Sequence, residues 1–273
     1  MEMPAWARNV IEAQTPRKLS EAEFEHRWQY YWSYQFMLAK FYICPALERW
    51  GFNFEGARVL DVGCGNAGVP FAMISRGAQC TGLDISDMQK LEADGYPFRF
   101  VLGDMCKRET LNRLERNYDL AVVRDVIEHI ANKRDFLENI IEVLAARGKI
   151  YITFPPYYSP FGGHTQNLKS KIGYLPYLHL LPSPLFKTLV RQIQPAGAIQ
   201  EELLSLNDIR TTVKAVERVL SACKLKILQR EFYAIRPTYH IRYGLKPRRA
   251  FWGALPGLRE CTITAAFYYV EKS

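Results

Sequence analysis

RVLDVGCGNAG, residues 58–68, carries the clearest structural signal in the sequence. Its apolar, β-branched run ends abruptly in glycines, which is typical of a buried parallel strand that runs into a tight turn. Gly63, Gly65 and Gly68 allow the backbone to turn sharply and to approach a ligand closely. Residues 69–76 then have helical periodicity, so the free N–H groups of a helix would face that ligand. We therefore predict an α/β fold with a small polar ligand at this turn.

The same glycines fit two kinds of cofactor site. They satisfy the G-x-G-x-x-G pattern of dinucleotide-binding turns, but Asp61 precedes the first glycine by two residues. A carboxylate there would repel a pyrophosphate and would suit a cationic amino group. The stretch resembles motif I of the class I S-adenosylmethionine-dependent methyltransferases. The resemblance implies that the amino-acid part of S-adenosylmethionine is bound by the turn residues Asp61, Gly63, Cys64, Gly65 and Gly68.

A second strand is predicted at residues 79–85, and it ends in Asp84 and Ile85. Asp84 follows Gly65 by 19 residues, which is where nucleotide-binding α/β folds place the carboxylate that holds a ribose diol. NAD enzymes and methyltransferases share this feature, so it supports the fold without deciding the chemistry. We predict that Asp84 and Ile85 border the cofactor.

Residues 97–101 are predicted to be a third strand that leads into Asp104 and Met105. The resemblance implies that Asp104 accepts a hydrogen bond from the adenine amino group. It also implies that Met105 packs on the adenine ring. A turn-forming aspartate that faces solvent is the alternative at this position.

The resemblance is strongest in DLAVVRDVIEHI, residues 119–130. This segment looks like the one that follows strand four in small-molecule methyltransferases of the ubiquinone-biosynthesis type. Arg124 and Asp125 would then lie near the sulfonium of the cofactor. Asp125, Glu128 and His129 share one side of a helical turn by their spacing, and such a face suits a general base. We predict His129 as one candidate catalytic residue; a divalent metal is the less favoured reading of this face, and no metal site is predicted.

A loop rich in Pro, Gly and aromatic residues, 155–167, follows a fifth predicted strand at 149–154. Open α/β sheets bind ligands at the carboxyl ends of their strands, so this loop is predicted to be a wall of the substrate site. His164 is the first choice for a general base because the pKa of an imidazole lies near neutrality. Tyr157 is a further catalytic candidate, and a purely structural role for His164 stays open.

The caps and the apolar periodicity predict three further helices, at residues 20–51, 132–148 and 205–223. The first is expected to begin at a capping box formed by Ser20 and Glu23, and the last at a cap from Ser205 or Asn207. We divide the chain into four regions: a helical cap at 1–52, the cofactor-binding core at 53–156, a lid at 157–204, and a C-terminal helix with the closing strands at 205–273. The basic, aromatic segment 236–260 is expected to complete the substrate pocket.

The predicted fold is a Rossmann-like, seven-stranded, mostly parallel sheet between helices, with an antiparallel terminal hairpin. The 273 residues, 48% hydrophobic and 23% charged, can bury a sizeable core and are too ordinary in composition for a disordered chain. Six cysteines without C-x-x-C pairs indicate reduced thiols rather than disulfides or zinc sites, and hence a cytoplasmic setting. No secretory leader and no apolar run of about 18 residues is found, so neither export nor membrane insertion is predicted.

The predicted function is transfer of a methyl group from S-adenosylmethionine to an oxygen or nitrogen of a small molecule, such as a sugar, a lipid-linked precursor or a secondary metabolite. Nucleic acid is not expected as a partner, although the net charge of +8 alone would permit it. One alternative is an NAD-dependent oxidoreductase. The other is a non-enzymatic module whose basic, apolar lid contacts an anionic membrane. The acceptor, the choice of oxygen or nitrogen and the oligomeric state stay open.

Overall fold

A single sheet organises the computed structural model, which describes residues 5–87 and 97–272. Within these ranges its strands are β1 (Arg58–Val62), β2 (Gln79–Asp84), β3 (Phe98–Leu102), β4 (Tyr118–Arg124), β5 (Leu144–Phe154), β6 (Leu225–Ile235), β7 (Arg248–Arg249) and β8 (Ala265–Lys272). Their order across the sheet is β3-β2-β1-β4-β5-β8-β6-β7. Residues 1–4, 88–96 and 273 of the predicted regions lie outside the described residues.

Strands β1 to β5 pair in parallel, whereas β8 is antiparallel to both β5 and β6. This arrangement confirms the predicted Rossmann-like α/β fold with an antiparallel C-terminal end. The two-residue strand β7 makes the sheet one strand wider than predicted. Because β1 to β5 are parallel, their carboxyl ends lie along one edge of the sheet, where ligands bind in folds of this kind.

Helices cover both faces of the sheet. They are α1 (Ala5–Ile11), α2 (Arg27–Leu38), α3 (Cys44–Arg49), α4 (Gly68–Ile74), α5 (Arg108–Leu111), α6 (Lys133–Val143), α7 (Ser183–Ile193), α8 (Ala198–Ile209), α9 (Val213–Ala222), α10 (Thr238–Tyr243) and α11 (Pro256–Thr262). Helices α2 and α4 contribute to the apolar core on the face of Val59, and α6 and α9 to the core on the face of Leu60. The alternation of Val59 and Leu60 thus follows from the two-residue period of a strand buried on both sides. No helix in these ranges is long and apolar enough to cross a membrane.

The predicted start of the first long helix was wrong. The Ser20 and Glu23 capping box is present, but it closes a short 3-10 turn at Glu21–Glu23. Phe24 then takes an extended conformation, which ends the turn. Helix α2 begins afresh after His26, whose backbone N–H donates to Gln29 Oε1 at 2.9 Å.

The predicted helix 132–148 is shorter, because its last residues join the sheet. Asn132 caps α6 as its side chain accepts from the N–H of Asp135, but the helix ends at Val143. Leu144 pairs instead with Tyr118 of β4. Gly148 lies in β5, where a Cβ would stand 2.9 Å from the carbonyl oxygen of Tyr118. Its role is a close backbone approach rather than the predicted helix stop.

The predicted helix 205–223 is two helices, so Ser205 and Asn207 lie inside α8 and cap nothing. Arg210 adopts a left-handed conformation with φ of 51°, which ends α8. The Thr212 side chain accepts from Ala215 N–H and begins α9. The break is held by Thr211, whose carbonyl accepts from the N–H of Tyr157 at 2.7 Å.

Candidate functional site

The glycine turn after β1 is fixed from both sides. Gly63 and Gly65 have positive φ angles of 76° and 53°, which favour glycine. The N–H of Gly65 donates to Asp84 Oδ2 at 2.9 Å, so the end of β2 holds the turn. A Cβ at Gly68 would lie 2.2 Å from the carbonyl oxygen of Trp32. Helix α2 therefore packs directly on the turn, and glycine is required there by close approach.

Helix α2 also places two polar side chains at this edge of the sheet. Gln35 Oε1 accepts from the N–H of Gly68 at 3.2 Å in a buried setting. Tyr34 stacks with Tyr30 at a centroid distance of 6.4 Å and borders a neighbouring cavity. The aromatic density of this helix thus serves packing against the turn as well as the cavity wall.

A cavity of about 280 Å³, here called the larger cavity, lies at the carboxyl ends of β1 to β4. Six of the predicted cofactor residues line it: Gly63, Asp84, Ile85, Asp104, Met105 and Asp125. The rest of its lining includes the apolar side chains of Val126, Ile130 and Phe136. It therefore combines carboxylates with apolar walls.

The other five predicted cofactor residues, Asp61, Cys64, Gly65, Gly68 and Arg124, do not line this cavity, and their roles stay predictions. Asp61 is buried at the end of β1. Burial raises the pKa of Asp61 to about 7, against the opposing charge of Arg124. The thiol of Cys64 is buried as well, and burial raises its pKa well above the usual range. A cationic group at the turn would therefore offset the cost of ionising Asp61.

A cavity of about 110 Å³, here called the smaller cavity, shares Asp125 with the larger one. The predicted loop 155–167 contributes to it, and so does the predicted segment 236–260. Its lining consists of Tyr34, Asp125, Pro155, Ser159, Phe161, His164, Gln166, Asn167, Arg236, Thr238, Tyr239, Arg242 and Thr264. Residues distant in sequence thus form one polar, aromatic space.

Asp125 is held between two arginines at the boundary of the cavities. Arg236 Nη2 lies 2.6 Å from each carboxylate oxygen of Asp125, and Arg124 Nη1 lies 3.0 Å from Oδ2. Burial alone would raise the pKa of Asp125, but the two guanidinium groups hold it below its ordinary value. The residue has a φ of 55°, a left-handed conformation that Asp tolerates better than most residues. Its carboxylate is therefore ionised and fixed in place.

Beside this ion pair, Glu128, His129, His164 and Glu202 form a cluster, here called the histidine cluster, in which Glu128 is buried and the other three side chains are partly buried. His164 Nε2 and His129 Nε2 lie 3.8 Å and 4.0 Å from Glu128 Oε1. His164 Nδ1 lies 2.6 Å from Glu202 Oε1. Glu128 is 1% exposed, and neither of its carboxylate oxygens has a hydrogen-bond partner among the described residues. The two imidazole nitrogens therefore lie close to the Glu128 carboxylate, which has no hydrogen bond among the described residues.

Burial governs the protonation of this cluster. It raises the pKa of Glu128 well above the ordinary value, and the charge of Asp125 acts in the same direction. Burial also lowers the pKa of His129 to about 4, with a further decrease from His164. His129 is therefore neutral near pH 7, and its ring can offer a lone pair.

Tyr157, the third predicted catalytic residue, lies outside the lining of both cavities. Its hydroxyl donates to the carbonyl of His179 at 3.0 Å and accepts from Asn207 Nδ2 at 2.7 Å. The hydrogen bonds indicate a packing role in the lid, and the catalytic role stays a prediction. His129 and His164, by contrast, are brought together, with ring centroids 5.3 Å apart.

Sequence reasoning did not select Glu202 or Arg236 individually. Glu202 is 38 residues from His164, and it lies in a helix that gave no motif. Arg236 is 111 residues from Asp125. The basic character of the segment after β6 was the signal available, and it indicated a pocket wall without singling out a residue. Glu128 was noted for its spacing, but burial without a partner could not be read from the sequence.

The chain matches the family model described as a methyltransferase domain over residues 31–188, which is more than half of its length. It is 30% identical over 100 residues to the mitochondrial ubiquinone biosynthesis O-methyltransferase of Arabidopsis thaliana, covering 35% of this chain and 31% of that protein. The mitochondrial ubiquinone biosynthesis O-methyltransferase of Rattus norvegicus is 30% identical over 110 residues, covering 38% and 32%. The matched region thus spans about a third of the length of these relatives.

Solved structures resemble the whole fold at low sequence identity. The crystal structure of the plantazolicin methyltransferase BamL, in complex with a triazolic desmethylPZN analog and SAH, has a TM-score of 0.53 at 14% identity, covering 91% of this chain and 86% of that one. A putative sarcosine dimethylglycine methyltransferase from Galdieria sulphuraria has a TM-score of 0.53 at 16% identity, covering 85% and 84%. These likenesses support the fold, and the family match supports an enzyme of the methyltransferase type.

Proposed function

The chain belongs to the methyltransferase-domain family, and we propose that it transfers a methyl group from S-adenosylmethionine to a small-molecule acceptor where its two cavities meet. The observation that carries the proposal is the shared position of Asp125, which lines both the larger and the smaller cavity. A donor in one cavity and an acceptor in the other would face each other at this residue. Methyl transfer requires such an in-line approach, which is chiefly a matter of positioning.

The larger cavity suits S-adenosylmethionine in the chemistry of its residues. Asp84 and Asp104 supply carboxylate oxygens for ribose hydroxyls and for the adenine amino group, and Met105 is an apolar neighbour for the ring. Asp61, whose pKa is raised by burial, would be stabilised in its ionised form by the cationic amino group of the cofactor. When bound, S-adenosylmethionine supplies an electrophilic methyl group on a good leaving group.

The smaller cavity suits a small polar acceptor. Arg236 and Arg242 give it positive charge, and Tyr34 and Tyr239 give it aromatic walls. A sugar, a lipid-linked precursor or a secondary-metabolite hydroxyl fits this description, and the proposal extends to these classes. Asp125 and Arg236 hold the wall in place through their ion pair. The chain's own residues would thereby orient the acceptor.

A hydroxyl acceptor must lose its proton during transfer, and we place the group that promotes this loss in the histidine cluster. His129 lines the larger cavity and His164 lines the smaller one. The cluster therefore stands at the junction where the reacting oxygen would lie. His164 is oriented by Glu202, which lies 2.6 Å from Nδ1 and leaves Nε2 at 3.8 Å from Glu128 Oε1.

Calorimetric titration with S-adenosylhomocysteine and, separately, with NAD tests the cofactor assignment. We expect S-adenosylhomocysteine to bind with a dissociation constant on the order of micromolar and NAD to show no saturable binding. Asp104→Asn should weaken the binding tenfold or more, because it removes a charged acceptor from the cavity. Asp87→Asn is the matched control, since Asp87 is exposed and lies outside the lining. Binding of NAD in place of S-adenosylhomocysteine would contradict the proposed function and favour an NAD-dependent oxidoreductase.

A second observation concerns the lid and favours contact with an anionic membrane. Exposed apolar side chains are frequent between residues 172 and 185, and together they are here called the lid surface: Ile172, Tyr174, Leu175, Tyr177, Leu180, Leu181 and Leu185. Tyr177 donates to the carbonyl of Cys261, so exposed Leu255 and Leu258 near α11 extend this surface. Residues 161–200 contain four lysines or arginines and no acidic residue. Apolar and basic groups together are what an anionic lipid surface attracts.

Vesicle sedimentation tests this contact. We expect the chain to sediment with vesicles of phosphatidylcholine and phosphatidylglycerol, and much less with phosphatidylcholine alone. Lys169→Gln combined with Lys171→Gln should reduce the anionic preference, since each basic residue near the surface contributes about 1 kcal/mol. Lys226→Gln is a control in β6, on another part of the chain. Equal sedimentation with both vesicle types, or none with either, would contradict membrane contact through the lid surface.

A further inference from the structure

We propose that the smaller cavity binds a phosphate group of the acceptor and that Arg242 recognises this group. Arg242 lies in α10 and lines the smaller cavity but not the larger one. Among the described residues, no carboxylate oxygen lies within 4.0 Å of its guanidinium nitrogens. A partly buried cation without an acidic partner favours an anionic ligand. The inference rests on the proposed function, because it names the chemical class of the acceptor.

The charges that line the smaller cavity do not balance by themselves. Arg236 and Arg242 contribute two positive charges, and Asp125 contributes one negative charge. The same Asp125 carboxylate also pairs with Arg124 at 3.0 Å, so two guanidinium groups share one carboxylate and Arg242 adds a third. A phosphate monoester carries about 1.5 to 2 negative charges near pH 7, which offsets this excess better than the single charge of a carboxylate.

The carboxylates of Glu128 and Glu202 do not remove the excess. Neither residue lines the smaller cavity. Glu202 Oε1 lies 2.6 Å from His164 Nδ1, so it is engaged with the imidazole. Burial raises the pKa of Glu128 well above its ordinary value, which keeps this carboxyl group neutral. The positive charge of the cavity is therefore left for a ligand to neutralise.

Arg242 is held in position by uncharged neighbours. The N–H of Leu19 donates to the carbonyl of Ile241 at 2.8 Å and ties α10 to the segment before α2. The guanidinium carbon of Arg242 lies 5.6 Å from the centroid of the Tyr243 ring, and the group donates to the Tyr30 hydroxyl. A guanidinium has five N–H donors, so these contacts leave others for a ligand. Arginine binds phosphate oxygens through such paired, parallel hydrogen bonds.

Further donors of the smaller cavity also fit a phosphate. Tyr34 and Tyr239 line it, and neither hydroxyl has a hydrogen-bond partner among the residues that the structure describes. The Nε of Arg236 is buried and likewise has no acceptor in the described ranges. A phosphate group has three terminal oxygens that accept hydrogen bonds, whereas a carboxylate has two. The donors that converge on this cavity therefore favour the phosphate.

Gln166 indicates that the phosphorylated acceptor also carries a hydroxyl group. Gln166 lines the smaller cavity, and its Oε1 is buried without a hydrogen-bond partner among the described residues. A buried oxygen left without a donor destabilises the fold, and an ionised phosphate offers no donor to it. A ligand hydroxyl would supply that donor. A sugar phosphate or a polyol phosphate has both groups, and a phosphorylated lipid headgroup shares the phosphate alone.

Calorimetric titration with inorganic phosphate at constant ionic strength measures the site, both with and without saturating S-adenosylhomocysteine. We expect one equivalent per chain, with a dissociation constant on the order of millimolar. Acetate, the carboxylate probe, should bind about tenfold more weakly. Arg242→Gln should weaken phosphate binding about tenfold or more, because it removes the charge and the paired donors. Arg248→Gln makes the same change at an exposed arginine outside the cavity and should alter nothing.

The source of the phosphate is tested with glucose 6-phosphate and with dihexanoyl phosphatidic acid, a soluble lipid. We expect glucose 6-phosphate to bind more tightly than inorganic phosphate, because a sugar hydroxyl can donate to Gln166. Gln166→Met should remove this gain and leave the affinity for inorganic phosphate unchanged. Tighter binding of dihexanoyl phosphatidic acid than of glucose 6-phosphate would support the phosphate site and contradict a hydroxyl-rich acceptor.

Three results would overturn the phosphate site: no saturable binding of phosphate, binding of acetate as tight as that of phosphate, or phosphate affinity that Arg242→Gln leaves unchanged. If Arg242→Gln does not fold, Tyr239→Phe decides, because loss of one donor should weaken phosphate binding about fivefold. Binding of S-adenosylhomocysteine without phosphate binding would overturn the site and leave the proposed function standing. Phosphate binding that Arg242→Gln abolishes, in a chain that does not bind S-adenosylhomocysteine, would support the site and contradict the proposed function.

Discussion

The two cavities differ in how the chain builds them. The larger cavity takes its lining from residues 62–136, at the ends of four neighbouring parallel strands. The smaller cavity draws on α2, on the loop after β5 and on residues 236–264. The cofactor side is therefore fixed by strand ends that follow one another in sequence. The acceptor side depends on contacts between distant parts of the chain.

The two cavities also differ in the charge of the side chains that line them. The larger cavity carries the carboxylates of Asp84 and Asp104, and the smaller one carries the guanidinium groups of Arg236 and Arg242. Asp125 belongs to both and pairs with Arg236. A cationic donor is thus favoured on one side and a polar or anionic acceptor on the other. Substitutions on each side should separate the two binding functions.

The largest expected effect is at the shared residue. Asp125→Asn removes the charge that balances Arg236, a side chain that is only 10% exposed, while Asn tolerates the left-handed backbone of position 125. Leaving one partner of a buried ion pair uncompensated costs about 3–5 kcal/mol of unfolding free energy. Urea denaturation measures this loss. In the exposed pair of Lys187 and Asp208, Asp208→Asn should cost less than about 1 kcal/mol; equal effects would contradict the special role of Asp125.

Asp61→Asn should have opposite effects on stability and on cofactor binding. The folded-state pKa of about 7 exceeds the ordinary value of 3.8, so the folded chain holds the proton more tightly. The contribution of protonated Asp61 to the free energy of unfolding is then fully present below about pH 4 and is lost as the pH rises through about 7. At pH 8 the free energy of unfolding should be roughly 2–4 kcal/mol higher for the variant than for the unsubstituted chain. The variant should nevertheless bind S-adenosylhomocysteine more weakly. A variant that loses both stability and affinity at pH 8 would contradict the ligand-directed role of this carboxylate.

Gly68→Ala tests the packing of α2 on the cofactor turn. The added Cβ would lie 2.2 Å from the carbonyl oxygen of Trp32, so helix or turn must shift. Overpacking of this kind costs about 1–3 kcal/mol, and affinity for S-adenosylhomocysteine should fall with it. Thermal unfolding and calorimetry measure the two losses. At Gly257 a Cβ meets nothing within 4 Å, and Gly257→Ala should be neutral or slightly stabilising.

The smallest expected effect tests whether the Tyr157 hydroxyl serves packing of the predicted lid or the reaction itself. Tyr157→Phe removes the hydroxyl that donates to His179 and accepts from Asn207. We expect a loss of about 1 kcal/mol in unfolding free energy, the net value of a hydrogen bond, with unchanged binding of S-adenosylhomocysteine. Once an acceptor is found, turnover should be nearly unchanged as well. A loss of turnover without a loss of stability would restore the predicted catalytic role of Tyr157.

The sequence predicts one side of the molecule much better than the other. The parallel strands, the glycine turn and Asp84 follow from local patterns, because strand ends and turns are specified within a few residues. Asp104 and Met105, which also line the larger cavity, were implied by the family resemblance. The bounds of α6 and α8 were wrong, since Leu144 pairs with β4 and Thr211 bonds to Tyr157. These contacts are tertiary and override helical periodicity.

The residues of the candidate site likewise differ in how well the sequence predicts them. His129 and His164 could be selected from residue type and from the loop after β5. Glu202 and Arg236 could not, because nothing near them in sequence indicates that each meets a partner 38 or 111 residues away. Burial of Glu128 without a hydrogen bond is likewise a property of the assembled fold. These contacts form only when the predicted lid and the C-terminal strands pack against the rest of the chain.

A crystal structure of the chain with S-adenosylhomocysteine would show directly which cavity holds the cofactor. We predict density for the ligand in the larger cavity, with its ribose at Asp84 and its adenine beside Asp104 and Met105. Its sulfur should face Asp125, toward the smaller cavity. Density in the smaller cavity, or at another edge of the sheet with the larger cavity empty, would contradict the assignment of the two cavities and the mechanism built on it.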